Sequence, residues 1–202
     1  MTTKRPIYFD LETTGTFCDS DRIVEIAAFD PERERSFQRL VHPGVLIPEE
    51  VIRIHGITNE MVQNEPSFKT IGKDFIEFCS GDIMLVAHNG EQFDLRFLIA
   101  EFKRYKLAFP KGWALVDSLK WARKYRKDLP KHTLQYLREI FGIPKNNAHR
   151  ALDDSIILHQ VFTLMTDDLT CEQILEKGEG IFELYQEEKG AHVSNNAPEL
   201  FA

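Results

Sequence analysis

Hydrophobic positions follow two rhythms along this chain, and the change from one to the other outlines its fold. Near the N-terminus, apolar residues fall in short runs with mixed alternation at Ile7–Glu12, Arg22–Asp30 and Ser36–Val41, the pattern of strands. The charged stretch Glu32–Glu34 fits a hairpin turn between the second and third runs. These three segments predict an antiparallel meander. Pro43 and Pro48 then break the pattern. Glu49–Ile54 reads as a short helix, His55–Thr58 as a turn, and Thr58 as the cap of a helix over Asn59–Gln63.

From Ser67 the period lengthens. Ile71, Phe75, Phe78 and Cys79 share one side of a helix that Ser67 caps and Gly81 ends. Ile83–Ala87 is a continuous apolar run, which predicts a strand buried on both faces. Helical spacing resumes at Phe93, Phe97, Leu98 and Phe102. Trp113–Val116 reads as an edge strand, followed by a basic helix around Leu119–Tyr125, a helix over Thr133–Phe141 and a long one over Ala148–Met165. The order predicts an α/β fold, a mixed five-stranded sheet with three antiparallel strands first and helices on both faces. Residues 1–167 form the expected domain. Residues 168–202 form an accessory unit, an acidic helix over Cys171–Glu187 and a disordered polar tail after Gly190.

With 202 residues, 43% hydrophobic and 28% charged, the chain suits one globular domain. No apolar run approaches the roughly 20 residues of a membrane helix, and no signal pattern opens the chain, so no membrane partner and a cytoplasmic location are expected. Cys18, Cys79 and Cys171 are too scattered for a zinc site and suit a reducing compartment. The net charge of -7 lies entirely in residues 166–202, which hold nine acids and two bases. Elsewhere charges balance, and Lys103–Lys131 carries ten Lys or Arg against two acids. Such a run can follow a phosphate backbone, although a solvated helix surface is the commoner explanation.

Three stretches carry candidate chemistry. In Ile7–Gly15, Asp10 and Glu12 are two apart on a strand and so share a face. Their repulsion calls for a positive charge between them, most simply a divalent metal. In His88–Asp94, an Asn89-Gly90 turn leads to Asp94 in the first turns of a helix, where the dipole favours a carboxylate. In His149–Asp154, His149 and Asp153 are four apart and share a helix face, with Asp154 rotated away by about 100°. Alone, such a pair is usually a surface ion pair. Together, four carboxylates and one imidazole suit two Mg²⁺ or Mn²⁺ ions, a proton acceptor and two-metal phosphodiester hydrolysis.

These stretches, Asp10-x-Glu12 with Thr13-Thr14-Gly15, His88-Asn89-Gly90-x-x-Phe93-Asp94 and His149-x-x-x-Asp153, resemble the motifs of the DEDDh 3′–5′ exonucleases. The likeness is greatest to the proofreading epsilon subunit of bacterial DNA polymerase III and its stand-alone relatives, and runs from about Pro6 to about Met165. The resemblance implies a ribonuclease H-like fold. It implies that Asp10, Glu12, Asp94 and Asp153 hold two divalent cations, with Asp10 bridging, and that His149 is the general base. It further implies that Leu11 and Thr13 flank the terminal nucleotide, with Glu50 and His55 near the 3′ end. Asn89 and Phe93 would meet the next nucleotide.

The implied substrate is a single-stranded or frayed 3′ end, DNA in the first place, with release of nucleoside 5′-monophosphates in proofreading or repair. RNA trimming and a non-catalytic polymerase-binding module are the alternatives. Glu91 and Gln92 depart from the small residues common there, which places an extra acid near the metals. A DNA polymerase subunit is a candidate partner, and Pro198–Ala202 loosely resembles peptides that bind a sliding clamp.

Overall fold

The computed structural model describes residues 4–144, 150–167, 169–177 and 182–183. The five expected strands all form: β1 (Arg5–Thr13), β2 (Ile23–Asp30), β3 (Arg35–Leu40), β4 (Ile83–Ala87) and β5 (Trp113–Asp117). A two-residue β6, Phe182–Glu183, adds to the edge, so the sheet runs β3-β2-β1-β4-β5-β6. β1, β2 and β3 pair antiparallel, β4 and β5 extend the sheet parallel to β1, and β6 returns antiparallel.

β6 lies where a continuous helix over Cys171–Glu187 was expected. The helix there, α8, spans only Cys171–Lys177. Ile174 of α8 is buried with β4, β5 and Trp121, so this part of the acidic segment is built onto the domain. β5, expected at the edge, is instead covered by β6 and has every residue buried.

Helices cover both faces. On one face, α3 (Phe68–Phe78) and α4 (Asp94–Arg104) pack Phe75, Phe97 and Phe102 against Ile7, Phe9 and Leu11. On the other, α5 (Ser118–Tyr125), α6 (Leu134–Ile140) and α7 (Ala151–Thr166) enclose Tyr8, Met84 and Val116 with Trp121, Leu158 and Phe162. The short α1 (Glu49–His55) and α2 (Asn59–Val62) close over Val24 through Ile47, Ile57 and Val62. Thr58 caps α2 as expected and Thr133 caps α6, whereas Ser67 starts α3 without a side-chain cap bond.

The basic run does not form one face. Lys103 and Arg104 end α4, while Arg123 and Lys124 end α5 across the sheet. Among the described residues, no helix is long and apolar enough to cross a membrane, and the three cysteines are free.

Candidate metal centre

β1 sorts its side chains by parity. Ile7, Phe9 and Leu11 enter the core beneath α3 and α4, and Tyr8 enters the core beneath α7. Asp10 and Glu12 share Tyr8's parity and therefore face α7. There, carboxylate oxygens of Asp10, Glu12 and Asp154 lie within 4.8 Å of one another.

The acid that α7 contributes is Asp154, not the expected Asp153. Successive residues of a helix are turned by about 100°, so the two neighbours cannot both look down on β1. Asp154 is 9% exposed and accepts from Gln135 Nε2 at 3.2 Å. Asp153 is half-buried and stands outside the group. His149 lies outside the described residues, as does the Pro198–Ala202 peptide.

Asp94 approaches from the opposite face as the first residue of α4, 3% exposed, with its Oδ1 buried and lacking a hydrogen-bond partner. Burial holds Asp10 well above the usual carboxylate range, and Asp94, Glu12, Asp154 and Glu25 push it further. Burial and the charges of Glu25, Asp154 and Asp94 raise Glu12 to about 8, against partial relief from Arg150. Asp94 rises to about 7, chiefly through burial, although the Leu11 amide favours its ionised form. Acids so crowded ionise together only with positive charge among them. An all-oxygen donor set with an unpartnered buried oxygen fits a hard divalent cation.

The turn before α4 is braced from β5. Asp117 is buried and accepts from the amides of Asn89 and Glu91, each at 3.1 Å, while capping α5 through Leu119 and Lys120. Asn89 takes a left-handed φ of 66°, and a Cβ on Gly90 would come within 2.5 Å of that of Ala87, so only glycine fits. Glu91 is turned inward, 1% exposed, and forms an ion pair with Lys120. It is not part of the group formed by Asp10, Glu12 and Asp154.

The expected substrate-side residues divide. Leu11 and Thr13 are buried, Thr13 Oγ1 donating to the Gly15 carbonyl at 2.6 Å. His55 is 5% exposed, accepts from the Ile57 amide at Nδ1, and buries Nε2 without a partner. Burial lowers its pKa, with the Thr13 backbone opposing. Glu50 and Asn89 are exposed, and Phe93 is half-buried against Phe97.

Glu25, absent from the sequence reading, is fully buried directly opposite Glu12. Its sole signal is a carboxylate in the otherwise apolar run Ile23–Phe29.

Comparison with known proteins places the chain among exonucleases. Residues 7–162 match the exonuclease family RNase T. The chain is 39% identical over 179 residues to Arabidopsis thaliana exonuclease DPD1, chloroplastic/mitochondrial, covering 81% of this chain and 56% of that protein. It is 33% identical over 166 residues to the DNA polymerase III epsilon subunit of Aquifex aeolicus, covering 81% of each. The chain thus spans a little over half the length of the plant relative and most of the bacterial one.

Among solved structures, exonuclease X in complex with 5′ overhanging duplex DNA matches with a TM-score of 0.61 and 27% identity, over 85% of this chain and 98% of that one. The fold also matches Escherichia coli exonuclease I bound to single-stranded DNA, with a TM-score of 0.72 and 18% identity, over 87% of this chain and 43% of that one. On the family match, the relatives and the ribonuclease H-like fold together, the chain belongs to the RNase T family of exonucleases.

Proposed function

We propose that the protein is a metal-dependent 3′–5′ exonuclease acting on single-stranded or frayed DNA ends. The observation that carries this reading is the meeting of Asp10, Glu12 and Asp154 from two elements far apart in the chain. The raised pKa values of Asp10, Glu12 and Asp94 mark a site that favours cations. Asp94 completes the set, and the epsilon relatives favour DNA.

Asp10, Glu12, Asp154 and Asp94 would hold two divalent ions, Mg²⁺ or Mn²⁺. When bound, such ions make water nucleophilic at neutral pH and neutralise charge on phosphate. His149, one residue before Arg150, would take the proton from water. Leu11 and Thr13 would seat the terminal nucleotide, with His55 and Glu50 on its 3′ side and Asn89 and Phe93 toward the next. Proofreading or repair, alone or with a polymerase, is the corresponding role. A reducing compartment such as the cytoplasm suits the free thiols.

The test is digestion of a 5′-labelled single-stranded oligodeoxynucleotide with Mg²⁺ or Mn²⁺. A ladder shortening from the 3′ end, abolished by chelation and by Asp154→Asn, is expected. An intact oligonucleotide under both metals overturns the reading. The matched RNA oligonucleotide, run beside it, decides substrate class: faster RNA cleavage replaces the DNA assignment with RNA trimming.

A further inference from the structure

α7 begins without a cap of its own. Arg150, at its N-cap position, makes no side-chain cap bond. The first amides of a helix have no acceptor within it. Here the Ala151 amide donates to Glu25 Oε2 at 3.2 Å. Arg150 Nη2 and Gln38 Nε2 donate to Glu25 Oε1 at 3.0 and 2.8 Å. One buried side chain on β2 therefore gathers donors from α7 and from β3.

A neutral residue at this position would avoid a second acid opposite Glu12, because like charges facing each other across a strand pair repel. A carboxylate offers what a neutral side chain lacks. It is acceptor-only, takes several donors at once, and is favoured at the positive end of a helix. The first intrahelical bond of α7 runs from the Asp154 amide to the Arg150 carbonyl. The turn that Glu25 fixes is therefore the turn that carries Asp154.

We propose that Glu25 is a positioning residue. It fastens the first turn of α7 to β2 and so sets the Asp154 carboxylate against Asp10 and Glu12. The inference rests on the exonuclease reading above for its kinetic consequence, but not for its structural one. Glu25 does not touch substrate. It acts through Asp154, as outer partners of metal-holding side chains do.

The test is Glu25→Gln in the full chain, which keeps the shape but turns an NH₂ donor toward the α7 donors. Activity on a single-stranded oligodeoxynucleotide with Mg²⁺ is expected to fall in kcat by about tenfold to hundredfold. KM should stay within about twofold, since substrate contacts remain. Mn²⁺ affinity, measured by titration without substrate, should fall. Amide hydrogen exchange over residues 150–155 should accelerate while that of β4 is unchanged.

Wild-type kcat with unchanged exchange overturns the proposal. So does faster exchange throughout the sheet with kcat lost only in proportion to unfolded protein, the signature of a merely structural role. If the wild-type protein digests nothing, the exonuclease reading falls by itself, and local exchange still decides for or against positioning. Should Glu25→Gln fail to fold, Glu25→Asp, which keeps the charge but draws the carboxylate back from the Ala151 amide and Arg150, gives the same reading. Faster exchange confined to 150–155 supports the anchor, and unchanged exchange overturns it.

Discussion

Asp154 and Asp10 lie on a helix and a strand separated by most of the chain, yet offer oxygens within 4.8 Å of each other. Asp153, the adjacent residue, is outside that group. The contrast gives a direct test. Asp154→Asn should lower kcat by at least about a hundredfold, whereas Asp153→Asn should stay within about fivefold of wild type. Steady-state digestion of one labelled oligonucleotide by both variants checks this. Equal losses would mean that both acids serve the site.

Acidity gives a second test. The folded-state pKa of Glu12 is about 8 and that of Asp94 about 7, both above unfolded values of roughly 4. The folded protein therefore holds more protons than the unfolded chain across this interval. Without metal, their contribution to stability is present at low pH and is lost as pH rises through about 7 to 8. A divalent ion binds the ionised form and opposes that loss. Melting curves at pH 5.5 and pH 8, with and without Mg²⁺, should show the larger metal-induced rise in Tm at pH 8. A rise that is greater at pH 5.5 would exclude these acids as the metal site.

Glu91 and Lys120 form an ion pair in which the carboxylate is buried and the ammonium is partly exposed. Removing only the lysine strands a charge in the interior. Lys120→Met should destabilise by about 2 kcal/mol, and adding Glu91→Gln should recover most of it. Urea denaturation of the single and double variants measures this. Because Glu91 is not part of the Asp10, Glu12 and Asp154 group, the double variant should keep Mn²⁺ affinity.

Asp117 accepts four amides, two from the Asn89–Glu91 turn and two from α5. Alanine there leaves several donors short of partners. Asp117→Ala should cost about 3 kcal/mol of stability, since buried donors left unmet cost about 1 to 3 kcal/mol each. It should also lower kcat, because the turn that places Asp94 is freed. Thermal melting and single-turnover cleavage separate the two effects.

How much of this could be read beforehand depended on whether a local pattern carried the information. Asp10 and Glu12 are legible because strand parity is a local rule, and the five strands follow from the runs of apolar residues. Choosing between Asp153 and Asp154 required knowing which side of α7 meets the sheet. That helix gives little guidance, because Ile157, Leu158, Val161 and Phe162 bury different parts of its circumference in two separate clusters. Glu25 leaves no local signature of its role, because its partners Gln38, Arg150 and Ala151 come from other elements. β6 is equally silent in the sequence, because two residues pairing with β5 carry no periodicity.

The alternation of β1 gives its length a different importance from its composition. Phe9 and Leu11 supply one core while Asp10 and Glu12 face α7. Exchanging one apolar residue for another disturbs only its own neighbours. Inserting or deleting a single residue ahead of Asp10 would turn both acids into the phenylalanine-rich layer and swing its aromatic occupants out toward α7. Spacing along this strand is therefore less forgiving than side-chain identity, and viable variants of the protein should accumulate replacements there without ever changing the number of residues.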